Sequence, residues 1–206
     1  MPHHTSKVIV MYGYPLAGKT TAALRIQEYL RKIRIPAEII GSAKLRLKGK
    51  AHSSTTGFVD EENARTKKVK DKAYKAMCKA AASCLRKGAV PILDATFHKL
   101  YRRKWVYGIA KSEDAGAYVV WLVFNDERAI KKCLRERREA GKVSALHTWE
   151  QYAIMRQQAD KLEGAELSKQ PRFLRAIVQF DRGEGTARVY GKADNFARQL
   201  ADALTN

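Results

Sequence analysis

The chain has 206 residues, 45% of them hydrophobic and 30% charged, enough for one globular domain with an inserted lid. Its 40 Lys and Arg outnumber 21 Asp and Glu, a formal net charge of +19, and a field of that sign attracts nucleic acid or other highly phosphorylated ligands. Cys78, Cys84 and Cys133 are odd in number and lack metal-ligand spacing, which argues against a disulfide framework and for reduced thiols in the cytoplasm; the polar start MPHHTSK and the lack of a long apolar run lead to the expectation of no secretory leader and no membrane span.

Residues 7–12, KVIVMY, form a short β-rich run ended by glycine. From 19 to 33 the apolar positions Leu24, Leu30 and Ile33 recur at helical spacing, and Pro36 breaks the pattern. AEII, 37–40, reads as a second buried strand, and the Gly-, Ser-, Thr- and Lys-rich residues 42–60 as a loop. Helix formers fill 61–87 and stop at Gly88. AVPILD at 89–94 is a third strand, 99–112 a helix, and AYVVWLVF at 117–124 the strongest strand. Helices at 126–140 and 147–163 surround a Gly-Lys turn; the strand RAIVQF, 175–180, and a helix over 192–204 follow. Short strands alternating with longer helices predict βαβ units and a mostly parallel sheet of five strands. No linker, repeat or low-complexity segment divides the chain, so 1–206 reads as one domain.

Between the first strand and the first helix stands GYPLAGKT, 13–20. Gly13, Gly18, Lys19 and Thr20 satisfy G-x-x-x-x-G-K-[ST] in its required strand–loop–helix setting. Glycines let the backbone curl so that its N–H groups point inward at phosphate oxygens. The helix that begins near Gly18 adds its positive end. The expected nucleotide contacts are Gly13, Tyr14, Pro15, Leu16, Ala17, Gly18, Lys19, Thr20 and Thr21, with Lys19 at the β and γ phosphates and Thr20 on Mg²⁺. No adenine-specific motif separates ATP from GTP; ATP is taken as the commoner nucleotide.

The third strand ends in Asp94, followed by Ala95, Thr96 and Phe97. Ligands of open α/β sheets sit at the carboxyl ends of strands. Asp94 is therefore placed to hold Mg²⁺ or to meet an attacking hydroxyl; the plain alternative is a helix N-cap.

ILDATFHKLYRR, taken with GYPLAGKT, resembles the small P-loop kinases that phosphorylate hydroxyl groups: polynucleotide 5′-hydroxyl kinases, seryl-tRNA kinases, adenylylsulfate kinases and zeta-type toxins. The likeness spans roughly residues 7–180. It implies a three-layer P-loop NTPase sandwich with strand order 2-3-1-4-5 and a helical lid over about 126–163. It also implies transfer of the γ-phosphoryl of ATP to a hydroxyl, with Lys19 and Asp94 catalytic. The lid would be CLRERREAGKVSALHTWEQY, 133–152, whose SALHTWEQY is similar to a run that follows the lid arginines in such kinases. Arg137 matches the lid position best and Arg138 is the alternative; Arg135 joins the nucleotide contacts. On the acceptor side the resemblance places Thr96, Arg102 or Arg103, Arg46 and Arg65.

The pattern breaks in one place. Such kinases end the second strand in an Asp that serves as general base, three residues before an arginine. Here Arg46 stands at the arginine's place and Ala43 at the Asp's. Positioning and charge stabilisation dominate phosphoryl transfer, so a base adds only a modest factor, and the chain is left either to transfer the phosphoryl group or only to bind or hydrolyse nucleotide. Asp94, Asp60, Glu61 or Glu62 could take the role. Basic residues also gather on the acceptor side, from Lys44 to Lys50, from Lys67 to Lys79, and from Lys99 to Lys104. They favour a phosphate-rich acceptor such as RNA or DNA. Two readings stand: an ATP- and Mg²⁺-dependent kinase, monomer or dimer, or a basic RNA-associated ATPase that uses nucleotide as a binding switch.

Overall fold

The computed structural model describes residues 6–42, 64–140, 146, 148–162, 166–167 and 173–205. β1 (Ser6–Tyr12) leads through the glycine loop into α1 (Lys19–Lys32). β2 (Ala37–Gly41) precedes α2 (Ala64–Arg86), and β3 (Val90–Asp94) precedes α3 (Leu100–Ser112). β4 (Ala115–Val123) is followed by α4 (Glu127–Glu139) and α5 (Trp149–Gln157). β5 (Leu174–Asp181), β6 (Thr186–Gly191) and α6 (Asn195–Thr205) complete the order.

The strands form one sheet in the order β2-β3-β1-β4-β5-β6. The first five are parallel, and β6 pairs antiparallel with β5. The sequence predicts five strands and the resemblance implies the order 2-3-1-4-5; the sheet keeps that order and adds β6 at the edge. The sixth strand escapes the sequence pattern because its residues alternate between exposed and half-buried, so it shows no apolar run. A turn closes it onto β5: Asp181 Oδ1 accepts from the Gly183 and Glu184 amides at 2.8 and 3.2 Å, and Gly185 adopts φ 66°.

Both faces of the sheet are covered, which is why its strands read as continuous apolar runs. Val8, Val10 and Tyr12 of β1 pack with Met77 of α2 and Val106 of α3. Ile9 and Met11 face the other way, against Ile26 of α1 and Leu200 of α6. α4 and α5 build a small core of their own from Ile130, Leu134 and Tyr152, joined by Leu146 from between them, and Tyr14 and Leu16 of the glycine loop pack against it. Thr148 begins α5 with a capping box to Gln151. The helix ends at Gln157, short of the predicted 163, because the chain turns to bind α3. There the Asp160 amide donates to the His98 carbonyl at 2.8 Å, and its carboxylate accepts from the Leu100 amide at 2.7 Å.

Candidate functional site

The parallel register brings the ends of β1, β2 and β3 to one edge, with Gly41 opposite Asp94. The glycine loop folds over that edge. At Gly13 a Cβ would lie 2.9 Å from the Leu122 carbonyl oxygen, so only glycine lets the loop leave β1 this close to β4. Gly18 adopts φ 86°, and Leu16, a non-glycine, is held at φ 72°.

Lys19 folds back beneath the loop, and its ammonium donates to the Tyr14 carbonyl at 2.8 Å. Burial lowers its pKa to about 8; Asp94 opposes the shift and Arg137 adds to it. The Thr20 hydroxyl donates to Asp94 Oδ2 at 2.7 Å, joining residues 74 apart in sequence. A cavity of about 590 Å³ covers this group. Its wall includes Pro15, Gly18, Lys19, Thr20 and Thr21 from the loop and α1, Gly41 and Ser42 after β2, and Asp94 and Thr96 after β3. Cys133, Glu136 and Arg137 of α4 close it.

Of the three α4 arginines the resemblance nominates, Arg137 alone lines this cavity. It lies one turn after Cys133 and shares its face, whereas Arg135 and Arg138 are exposed on another. Arg46 and the Ala43 position lie outside the described residues, as does the side chain of Arg65.

Arg102 and Arg103 depart from the acceptor-binding expectation. Arg102 is 1% exposed; it pairs with Asp71 at 2.9 Å and lies 4.5 Å over the Tyr74 ring. Arg103 is 0% exposed and holds both oxygens of Glu166 at 2.5 and 2.8 Å. It also donates to the carbonyls of Phe97 at 2.7 Å and Asp160 at 3.0 Å. Tyr107 donates to the same carboxylate at 2.8 Å, and burial, with Glu166 beside it, raises its pKa well above the ordinary phenol value. A guanidinium taken out of water needs such saturation by acceptors. These arginines brace α3 against Asp71, Phe97, Asp160 and Glu166 instead of facing an acceptor.

Arg182, in the β5–β6 turn, lines the same cavity, and the sequence reading misses it. It donates to the Leu16 carbonyl at 3.0 Å and lies 4.5 Å over the Phe124 ring. Its signal was its place just past the carboxyl end of a parallel strand, the rule that finds Asp94.

A second cavity of about 690 Å³ lies on the other side of the glycine loop, under α5. Tyr12, Trp121 and Gln179 stand opposite one another on three adjacent strands and form its floor. Tyr14, Trp149, Tyr152 and Arg156 close it. Trp121 and Trp149 both border this open space. Phe97 is wholly buried and meets Tyr74 edge-to-face at 5.0 Å.

The family model for 6-phosphofructo-2-kinase matches residues 2–142. No curated relative matches the sequence. Among solved structures, Kti12 of Chaetomium thermophilum in complex with ADP-AlF3 is 21% identical, covers 95% of each chain and superposes with a TM-score of 0.61. The APS kinase of Mycobacterium tuberculosis, in complex with AMPPNP and APS, is 14% identical over 98% of this chain and 99% of that one, with a TM-score of 0.59. A putative kinase of Chloroflexus aurantiacus is 18% identical over 88% and 91% of the two chains, with a TM-score of 0.58. At these identities the likeness is one of fold.

Proposed function

The chain belongs to the 6-phosphofructo-2-kinase family, and from that premise we propose that it moves the γ-phosphoryl of ATP to a hydroxyl acceptor. One observation carries the proposal: a single cavity gathers Lys19, the Thr20–Asp94 pair and Arg137 from three separate elements. These are the parts that phosphoryl transfer needs, a cradle, a cation site and a guanidinium for spreading charge.

The loop amides and the N-terminus of α1 bind the phosphates. Lys19 exchanges its bond to the Tyr14 carbonyl for phosphate oxygens. The donor set of Thr20 and Asp94, two hard oxygens 2.7 Å apart, fits Mg²⁺. Bound there, Mg²⁺ supplies neutralisation of phosphate charge. Arg137 reaches the transferring group from α4, which with α5 serves as the lid over about 126–163. Arg182 orders the loop through Leu16 and borders the nucleotide. Thr96 and Ser42 border the acceptor, a hydroxyl on RNA, DNA or another phosphorylated compound, and the resemblance adds Arg46 and Arg65 to its contacts. Among the described residues no helix is long and apolar enough to cross a membrane.

A specific feature favours the second reading, a basic ATPase switched by RNA. β2 ends at Gly41 with Ser42 after it, so among the described residues no carboxylate meets the cavity from that strand's end, and Asp94 is engaged by Thr20. Incubation with γ-labelled ATP separates the two, first with total RNA and then with a small-molecule extract. Label on an acceptor supports transfer. Label only as free phosphate, raised by RNA, supports the switch. Lys19→Ala should abolish either, and transfer surviving that change would overturn the site assignment.

A further inference from the structure

α2 runs for 23 residues with eight Lys and Arg against a single acid, Asp71. That acid is already engaged, accepting from Tyr101 and Arg102. Lys68, Lys72, Lys75 and Lys79 recur at helical spacing and are all exposed. They form one stripe about 16 Å long at a rise of about 1.5 Å per residue. Among the described residues none of the four pairs with a carboxylate. α4 is different: there Lys131 and Lys132 pair with Glu127 and Glu136. Like charges three and four apart repel along a helix, so an uncompensated stripe is a cost unless an anion meets it.

Beside the stripe, α3 sets Tyr101 and Trp105 one turn apart, ring centroids 5.2 Å from each other and edge-to-face. Lys75 lies 5.3 Å from the Trp105 ring. Both rings are half-buried and keep open surface. A groove of about 670 Å³ follows the lysines. α2 and α3 both begin at the carboxyl edge of the sheet, where Lys19 and Asp94 lie, and run down the same face.

We propose that this α2–α3 face is a track for single-stranded nucleic acid, with phosphates on the lysine stripe and bases against Tyr101 and Trp105. A positive groove combined with aromatic platforms is the physical requirement for holding a single strand. The net charge of +19 supplies the long-range attraction. An acidic peptide or an anionic lipid surface would use the lysines and leave the rings idle. That the bound strand also carries the acceptor hydroxyl rests on the kinase reading; the binding does not.

The test is anisotropy of labelled RNA and DNA oligonucleotides of about 20 residues on the full chain, without ATP. With four phosphates neutralised, raising salt from about 50 to about 200 mM should weaken binding roughly 50-fold. The Lys68→Gln, Lys72→Gln, Lys75→Gln, Lys79→Gln variant should lose about 3 units of log–log salt slope. The pair Lys75→Gln, Lys79→Gln should lose about half of that. Trp105→Leu should weaken binding at least about fivefold and leave the slope unchanged. Binding of an ATP analogue by each variant reports that the fold and the nucleotide site are intact. An unchanged slope in the lysine variants overturns the proposal. So does binding of heparin, polyglutamate or phosphatidylserine vesicles as tight as that of the oligonucleotides, with Trp105→Leu without effect. Failure of phosphoryl transfer beside intact oligonucleotide binding refutes the kinase reading alone.

Discussion

Lys19 makes nucleotide binding pH-dependent in a calculable way. Burial lowers its pKa to about 8, against the field of Asp94 and with that of Arg137, while its ammonium meets the Tyr14 carbonyl. Phosphate oxygens beside it favour the charged form and restore the ordinary value of about 10.4 or more. Nucleotide therefore binds the protonated lysine, and affinity falls as pH rises through 8. A site with a free pKa of 8 is about 10% deprotonated at pH 7 and about 90% at pH 9, so the dissociation constant should weaken about tenfold between them. The full shift of about 2.4 units corresponds to about 3 kcal/mol of coupling. Isothermal titration of a non-hydrolysable ATP analogue, in two buffers of different ionisation enthalpy, reads both the affinity and the proton taken up, about half a proton near pH 8. Lys19→Arg should abolish both. A dissociation constant flat from pH 7 to 9, without proton uptake, would refute the placement of Lys19 beside the phosphates. The lowered pKa also carries a sign for stability. The unfolded chain holds this proton up to about 10.4 and the folded chain only to about 8, so the contribution of Lys19 to stability rises with pH across that window.

Arg137→Ala should slow label transfer, or hydrolysis, by about 10³-fold, while Arg135→Ala and Arg138→Ala change it less than about threefold; comparable losses in all three would refute the assignment to the cavity-facing residue. Glu166→Gln leaves the buried Arg103 without its counter-charge and should cost about 3–5 kcal/mol in urea unfolding. In Arg103→Met, Glu166→Leu much of that loss should return, and a loss below about 1 kcal/mol in the single variant would mean that the pair is not dry. Gly13→Ala drives a methyl to 2.9 Å from the Leu122 carbonyl; binding of the ATP analogue, measured by titration, should weaken at least about tenfold while the circular dichroism spectrum stays native.

The central strands β1, β3 and β4 were legible in the sequence because they are buried on both faces, and burial on both faces writes a continuous apolar run; the order of the strands came from the resemblance carried by GYPLAGKT and ILDATFHKLYRR. The glycine loop was legible for a related reason: the backbone itself makes the site, so Gly13, Gly18, Lys19 and Thr20 appear as a local string. Asp94 followed from its place at a strand end. β6 left no such mark, since an edge strand with an exposed face alternates weakly and takes its pairing from β5.

Roles that depend on direction were decided only in three dimensions. Arg102 and Arg103 look alike in the sequence and sit beside Asp94, yet the packing of α3 turns both inward, to Asp71 and to Glu166, a residue 63 positions away from Arg103. Arg135, Arg137 and Arg138 differ only by helical rotation, and α4's contact with the glycine loop selects Arg137. Arg182 enters the cavity because the β5–β6 turn brings it 166 positions back to Leu16. A sequence records which groups are present and their local period. Which charge is desolvated and which faces the cavity is set by contacts between distant segments, and those exist only in the folded chain.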